Sequence, residues 1–170
     1  MVKSKREAEF VNLISENQGI IHKVCSMYAN EDEVKADLFQ EIVLQLWRAY
    51  GSYQGKAKIT TWMYRVALNT AISGFRKQKR KPEHFTISDR ELEIPQVIAN
   101  PDLSEETRWL YKAIEQLSEV EKAIIMLHLE EHSYDEIADI IGITRTHVGV
   151  KINRIKEKLR KIMLPHIGNA

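Results

Sequence analysis

Apolar residues recur three or four positions apart along almost the whole chain, the spacing that places side chains on one face of an α-helix. Alternation of apolar and polar residues, which would indicate β-strands, nowhere persists. The pattern therefore predicts an all-α protein with two small helical domains joined by a flexible linker. The linker is predicted at residues 82–103, where Pro82, Pro95 and Pro101 occur without sustained helical spacing.

The first domain, residues 1–81, is predicted to contain three helical stretches. The first stretch extends to Tyr28 with a break at Gly19. Residues 30–33 have the form of a capping box and predict a second helix that ends near Tyr50. A long third helix is predicted from about Thr60 to Lys81. The second helix has a wide face that we expect to be buried: Val34, Leu38, Phe39, Ile42, Val43 and Leu46.

The second domain, residues 104–170, carries stronger helix-start signals. Ser104 can cap a helix through Leu117, and the capping boxes that begin at Ser118 and Ser133 open the next two helices. We expect Gly142 to end the second of these helices. A cap at Thr144 is predicted to begin a final helix that reaches about Met163.

Residues 134–148 have the pattern of a helix-turn-helix. A small residue, Ala138, allows the two helices to cross closely, and Gly142 allows the turn. Ile137, Ile141, Ile143 and Val148 are predicted to be buried between the helices. On the final helix the buried stripe is expected to be Val148, Ile152, Ile155 and Leu159.

The opposite face of the final helix carries side chains that can read DNA. Arginine and asparagine make bidentate contacts with guanine and adenine, and an exposed valine can contact a thymine methyl group. We therefore predict base contacts from Thr146, His147, Val150, Asn153 and Arg154. Flanking basic residues suit phosphate contacts: Arg145, Lys151, Lys156 and Lys158. The alternative is a short helical hairpin with a solvated basic face.

The long helix of the first domain presents a different stripe. At 100° per residue, the six polar and aromatic side chains from Trp62 to Arg80 that form this stripe lie within about 80° of arc around the helix. An aromatic ring, an amide and several arginines on one stripe suit single-stranded nucleic acid, because bases stack on aromatic rings and guanidinium groups follow the backbone. The alternative for Trp62 is that it anchors the helix in the core. The stripe consists of Trp62, Arg65, Asn69, Ser73, Arg76 and Arg80.

The exposed face of the second helix combines charges with one apolar residue, Leu44. That leucine is either an isolated exposed side chain or the centre of a surface that docks a protein. Charge does not distinguish these alternatives. The face carries Glu33, Asp37, Gln40, Glu41, Leu44 and Arg48.

Charge is segregated along the chain, although the 170 residues have a net charge of only +1. Residues 56–81 hold eight basic and no acidic side chains, and residues 142–170 hold seven basic side chains against Glu157 alone. Residues 118–141 hold seven acidic side chains and one basic. Each basic block lies on a helix with a predicted nucleic-acid face, so the low net charge does not exclude a DNA-binding protein.

Other features limit location and chemistry. The single cysteine, Cys25, excludes an intramolecular disulfide and is interpreted as a buried core residue rather than a nucleophile paired with His22. No signal peptide or membrane span is expected, so we predict a cytoplasmic protein without membrane insertion. Residues 128–132 match a zinc-peptidase pattern, but the capping box at Ser133 places His132 in a turn. No cofactor, metal or enzymatic activity is predicted.

Four motifs together resemble the extracytoplasmic-function (ECF) sigma factors. They are residues 37–47 (DLFQEIVLQLW), residues 61–71 (TWMYRVALNTA) with the arginines that follow, residues 117–122 (LSEVEK) and the helix-turn-helix. They occur in the family's order and cover nearly the whole chain. Gly149 departs from the pattern, because family members often carry a polar or basic residue there.

The resemblance implies an alternative sigma subunit that directs core RNA polymerase to promoters and melts them. Residues 1–81 would be region 2, and residues 104–170 would be region 4, which reads the minus-thirty-five element. The polymerase clamp would bind Asp37, Gln40, Glu41, Leu44 and Arg48. The minus-ten element would be melted by the Trp62 to Arg80 stripe, with a base captured near Tyr53, Lys56 and Asn69.

The expected partners are core polymerase and promoter DNA, and an anti-sigma factor is a further candidate. The alternative function is a stand-alone helix-turn-helix transcriptional regulator, which would need only the second domain. That alternative leaves the Trp62 stripe and the Leu44 face without a role.

Overall fold

A computed structural model describes residues 4–80 and 104–167, except for the side chains of residues 75–80. The chain divides into two compact units, Met1–Arg80 (unit 1) and Lys81–Ala170 (unit 2). Within the described residues every regular element is an α-helix, as the hydrophobic spacing predicts. The helices are α1 (Lys5–Glu16), α2 (Gln18–Tyr28), α3 (Asp32–Tyr50), α4 (Ile59–Arg80), α5 (Glu105–Glu115), α6 (Glu119–Leu129), α7 (Tyr134–Ile141) and α8 (Arg145–Ile167).

The core of unit 1 forms where α2 and α3 pack against α4. These helices contribute fully buried aliphatic side chains, which supply the apolar burial that stabilises the unit. α1 adds Phe10, whose ring lies edge-on to Trp47 at a centroid distance of 5.0 Å. Buried residues of α2, α3 and α4 include Ile21, Val24, Cys25, Ile42, Leu46, Met63, Tyr64, Ala67, Leu68 and Ala71.

Three expectations for unit 1 are wrong. The first helical stretch breaks at Asn17 rather than Gly19, because the Asn17 side chain donates to the carbonyl of Leu13 at 2.9 Å. Residues 30–33 do not form a capping box: the N-cap of α3 is Glu31, without a side-chain hydrogen bond. The acidic side chains of Asp32 and Glu33 instead place negative charge at the positive end of the helix dipole.

The third correction concerns the buried face of α3, which is narrower than predicted. Of its six predicted members only Ile42 and Leu46 are buried, and Val34 is 40% exposed. The side chains of Leu38, Phe39 and Val43 are half-buried. α2 and α4 cover one side of α3 and leave part of its apolar surface accessible.

The core of unit 2 forms where α5, α6 and α7 pack against α8. α6 is buried over most of its length, from Ala123 to Leu127. The predicted stripe of α8 is confirmed, since Val148, Ile152, Ile155 and Leu159 are all buried. At the far end of α8, His166 stacks on Trp109 of α5 with ring centroids 3.6 Å apart.

Two details of unit 2 differ from expectation. In the helix-turn-helix, Ile137 and Val148 are buried as predicted, but Ile140 is buried in place of Ile141 and Ile143, which are half-buried. The final helix continues past Met163 to Ile167 with Pro165 inside it. Lys81, the predicted linker 82–103 and residues 168–170 lie outside the described residues.

Candidate nucleic-acid and protein interfaces

Helix α8 is positioned by local signals on both sides of the turn before it. Gly142 adopts a left-handed conformation (φ 82°), and the N–H groups of Gly142 and Ile143 both donate to the carbonyl of Ala138. This geometry ends α7 and favours glycine, which has no Cβ to clash. Thr144 Oγ1 then accepts from the N–H of His147 at 3.2 Å and caps α8. The start of α8 is therefore fixed by local interactions, the turn at Gly142 and the cap at Thr144.

The face of α8 predicted to read bases is solvent-exposed. All five of its predicted base-contacting residues are exposed, and the apolar Val150 is 39% accessible. The buried stripe occupies the other side of the helix, so these side chains point away from the core. The exposed set is Thr146, His147, Val150, Asn153 and Arg154.

The flanking basic residues have more varied surroundings. Arg145 Nη1 lies 3.7 Å from Asp135 Oδ2 on α7, and Lys158 Nζ lies 3.1 Å from Glu121 Oε2 on α6. Lys151 is half-buried, and Lys156 is exposed. Two of the four predicted phosphate contacts thus already have carboxylate partners on another helix.

Gly149 lies on the inner flank of α8. A Cβ built at this position would be 3.5 Å from Cε2 of Tyr134 on α7, an ordinary van der Waals distance. The position faces the ring of Tyr134 rather than the exposed reading face. A DNA contact from a side chain at residue 149 is therefore not favoured by this geometry.

The predicted stripe on α4 is partly exposed. Arg65, Asn69 and Ser73 are exposed, whereas Trp62 is half-buried. Tyr53 and Tyr50 pack near the Trp62 ring, with centroid distances of 5.2 Å and 6.4 Å. Trp62 therefore both anchors the start of α4 and keeps part of its ring accessible. The side chains of Arg76 and Arg80 lie outside the described residues.

The loop between α3 and α4 has one side-chain hydrogen bond across it and Arg6 of α1 beside its first residue. The hydroxyl of Tyr53 donates to the carbonyl of Ala57 at 2.5 Å, and Lys56 extends from this loop into solvent. The guanidinium of Arg6 lies over Trp47, in the last turn of α3, 5.1 Å from the ring centroid. A Cβ at Gly51 would come within 2.7 Å of Arg6 Nη2, so this approach requires glycine or a shift of the arginine. Tyr53 and Lys56 thus lie beside the start of α4.

The α3 face predicted to dock a protein is exposed and continues into an apolar depression. Asp37, Gln40, Glu41 and Arg48 are exposed, and Leu44 is 41% exposed. Gln40 and Leu44 also line an open depression of about 360 Å³. Its other lining residues are Phe10, Phe39, Val43 and Trp47.

Sequence reasoning missed this depression. It treated Phe39 and Val43 as core, and it gave no role to the contact between Phe10 and α3. The one-turn spacing of Phe39 and Val43, with Leu44 next to Val43, was the available signal, because an apolar stripe wider than its neighbours can cover remains accessible. A charged rim around exposed apolar surface is typical of a protein interface.

The surroundings of Cys25 and of the two histidines of the zinc-like pattern, His128 and His132, are those of residues that support the fold. Cys25 is only 2% exposed, and burial raises the pKa of its thiol to about 11 although Lys35 opposes the shift. His132 lies after the end of α6, with Nδ1 3.2 Å from Glu136 Oε2. Burial, with a smaller effect of Lys156, lowers the pKa of His128. Among residues 4–80 and 104–167 no group of three or more potential ligands can hold a metal.

Two family models match the chain, one in each unit. Sigma-70 region 2 matches residues 13–81, and Sigma-70, region 4 matches residues 107–159. In the described parts of the chain no helix is long and apolar enough to cross a membrane.

Curated relatives are similar over most of the chain. The ECF RNA polymerase sigma-E factor of Escherichia coli K12 is 33% identical over 160 residues, covering 86% of this chain and 83% of the relative. The factor of the same name from Haemophilus influenzae is 27% identical over 169 residues, covering 89% and 87%.

Two solved structures share the fold at lower identity. The sigma factor RpoE from Bartonella quintana, solved in complex with the anti-sigma factor NepR, matches with a TM-score of 0.69 at 19% identity. That match covers 91% of this chain and 96% of the other. CnrH, solved in complex with the cytosolic domain of CnrY, matches with a TM-score of 0.67 at 16% identity, covering 96% and 92%.

Proposed function

This chain belongs to the ECF RNA polymerase sigma factors, and from that premise we propose how its residues divide the work of transcription initiation. Residues 1–81 act as region 2, which binds the polymerase clamp and the minus-ten element. Residues 104–170 act as region 4, which binds the minus-thirty-five element, and residues 82–103 connect them. The proposed role is that of a non-enzymatic initiation subunit that works in the cytoplasm, where its polymerase is.

Upstream recognition is assigned to the exposed face of α8. Asn153 and Arg154 are the proposed base readers, because their side chains can form bidentate hydrogen bonds with adenine and guanine. Thr146, His147 and Val150 complete the reading face, and Arg145 and Lys151 are proposed to contact phosphates. The supporting observation is the exposure of all five reading residues on a helix whose start is capped.

Promoter melting is assigned to α4 and the loop before it. Trp62 is proposed to stack on a base of the opened strand, with Tyr53 beside it and Asn69 on the same stripe. Lys56, Arg65, Ser73, Arg76 and Arg80 are proposed to follow the strand's backbone. The exposure of Arg65, Asn69 and Ser73 and the partial accessibility of Trp62 support this assignment.

Polymerase docking is assigned to α3. The charged residues Asp37, Glu41 and Arg48 lie along one side of Gln40 and Leu44, which line the apolar depression. We propose that polymerase covers this depression with apolar side chains and pairs with the rim charges. An anti-sigma factor is a further proposed partner, since RpoE was solved with one.

The observation that carries this function is the occurrence of a region 2 match and a region 4 match in one chain. A stand-alone regulator would need only the helix-turn-helix of unit 2. The discriminating experiment is reconstituted transcription with purified core polymerase: the sigma factor confers initiation at its promoters, and a stand-alone regulator does not.

Variants in the same assay separate the two DNA roles. Trp62→Ala is expected to reduce permanganate-detected melting, because one base–aromatic stack contributes about 1 to 3 kcal/mol. Tyr111→Ala, which removes an exposed aromatic of α5, is the matched control and should melt promoters normally. Unchanged melting in Trp62→Ala would remove the single-strand assignment.

Upstream readout is tested on promoters with single base changes. Asn153→Ala and Arg154→Ala should each lose about 1 to 3 kcal/mol of discrimination at particular base pairs. Arg160→Ala, which removes an exposed arginine from the same helix, should leave discrimination intact. An equal loss of affinity for every sequence would show that Asn153 and Arg154 only bind backbone.

A further inference from the structure

Lys158 of α8 forms an ion pair that connects the DNA-facing helix to α6. Its Nζ donates to Oε2 of Glu121 at 3.1 Å, across 37 positions of sequence. The lysine side chain is 47% exposed and the glutamate 27%. An exposed pair of this kind adds little to stability, so its removal should leave unit 2 folded.

The carboxylate of Glu121 is held in place by the cap of α6. Its Oε2 accepts from the backbone N–H of Ser118 at 2.9 Å, while Ser118 Oγ accepts from the N–H of Glu121. Burial opposes ionisation, but the Ser118 hydrogen bond and Lys158 lower the pKa of Glu121 below its ordinary value. The group is therefore ionised at neutral pH and fixed in position before Lys158 binds it.

Lys158 also lies in a row that includes proposed DNA contacts. His147, Lys151, Arg154 and Lys158 follow one another at spacings of four, three and four residues. At 100° per residue the row is about 60° wide, and Lys158 lies about 6 Å beyond Arg154 along the helix axis. A lysine released at this position would have a phosphate backbone within reach when Arg154 is on DNA.

We propose that the Glu121 carboxylate acts as an internal phosphate mimic that occupies Lys158 and so lowers the affinity of this chain for random DNA. This inference rests on the proposed DNA-binding role of α8. Phosphate contacts add affinity for every sequence, whereas base contacts distinguish sequences. Glu121 is thus a specificity-determining residue that does not touch DNA.

The test measures binding of the full chain to a random-sequence duplex between 50 and 200 mM salt. Glu121→Gln removes the charge but keeps an oxygen that can accept from Ser118, because glutamine also completes a capping box. Releasing Lys158 to one phosphate should steepen the slope of log K against log salt by about 0.9. Across this fourfold salt range the variant's affinity should then change roughly 3.5-fold more than that of the wild type.

Glu136→Gln is the matched control. Glu136 completes the equivalent capping box with Ser133, but its carboxylate faces His132. Its replacement removes the same charge and should leave the salt slope unchanged. An equal steepening in both glutamine variants would overturn the proposal, since it would reflect net charge alone.

Two variants of Lys158 extend the same binding assay. Lys158→Gln alone should keep the wild-type slope, because the lysine is not on phosphate in the wild type, and its addition to Glu121→Gln should restore that slope. A shallower slope in Lys158→Gln, or persistence of the steeper slope in the double variant, would overturn the proposal. The sigma function is tested separately, by transcription initiation with the wild-type chain and core polymerase. If the wild type initiates transcription but Glu121→Gln leaves the salt slope unchanged, only the phosphate-mimic inference is overturned.

Discussion

Unit 1 and unit 2 each present one long polar-faced helix, but they hold it by different means. In unit 2, two of the three helices that pack against α8 begin with complete capping boxes, at Ser118 and Ser133, and a left-handed Gly142 sets the turn into α8. In unit 1 neither α2 nor α3 has a side-chain hydrogen bond at its N-cap. Its long helix α4 is held by packing on α2 and α3.

Unit 1, in which α2 and α3 lack side-chain caps, is held together by aromatic contacts. Phe10 meets Trp47 and Tyr50, and Tyr50 and Tyr53 pack near Trp62 at the start of α4. These contacts join α1, α3, the loop and α4. Unit 2 therefore positions its candidate DNA helix through local backbone geometry, whereas unit 1 does so through side chains that are distant in sequence.

The largest effects that test this comparison come from the two cores. Ile42→Ala in α3 and Ile152→Ala in α8 each remove a fully buried side chain and should cost about 2 to 5 kcal/mol of unfolding free energy. Because the two units have separate cores, each loss should be confined to the altered unit. Amide hydrogen exchange resolved by residue measures this.

The expected pattern is a loss of protection in α2–α4 for Ile42→Ala and in α5–α8 for Ile152→Ala. Val11→Ala, at a position that is 51% exposed, is the surface control and should change protection little. Equal losses in both units after either core change would show that the chain unfolds as one cooperative body and would remove the comparison.

The different means of support explain why unit 2 could be predicted more fully from sequence. The boxes at Ser118 and Ser133, the glycine at 142 and the cap at Thr144 all form as expected. Each involves residues at most four positions apart, so the sequence pattern contains the whole interaction. The errors in unit 1 occur where the Asn17 side chain donates to the carbonyl of Leu13 and where α3 begins after Glu31 without a side-chain cap.

In the candidate sites, too, features that depend on local sequence could be predicted, and features that depend on tertiary packing could not. Helical spacing alone predicts that Asn153 and Arg154 are exposed on the side opposite the core, and the structure agrees. Spacing could not predict that Lys158 is paired with Glu121, because that contact depends on how α6 packs against α8. The apolar depression beside Leu44 likewise depends on Phe10 of α1 and on how much of α3 its neighbours cover.

Intermediate effects should come from the helix caps. Ser118→Ala and Ser133→Ala each remove an acceptor for a helix N–H group and should cost about 0.5 to 2 kcal/mol, measured by denaturant unfolding of unit 2. Asn30→Ala is the informative counterpart, because Asn30 precedes the actual N-cap of α3 and makes no cap there. It should change unit 1 by much less. A cost for Asn30→Ala as large as that of Ser118→Ala would restore the capping box that the structure rejects.

The smallest effects should come from the glycines inside the two long helices. Alanine at Gly74 of α4 would meet no atom of the described residues within 4 Å, and alanine at Gly149 of α8 would make an ordinary contact with the ring of Tyr134. Each change should therefore stabilise its own unit by up to about 1 kcal/mol through helix propensity, measured by denaturant unfolding. Gly142→Ala is the contrasting control and should destabilise unit 2, because its φ of 82° strains any residue with a Cβ. If Gly149→Ala also lost promoter binding while gaining stability, close backbone approach to DNA, and not packing on Tyr134, would account for this glycine.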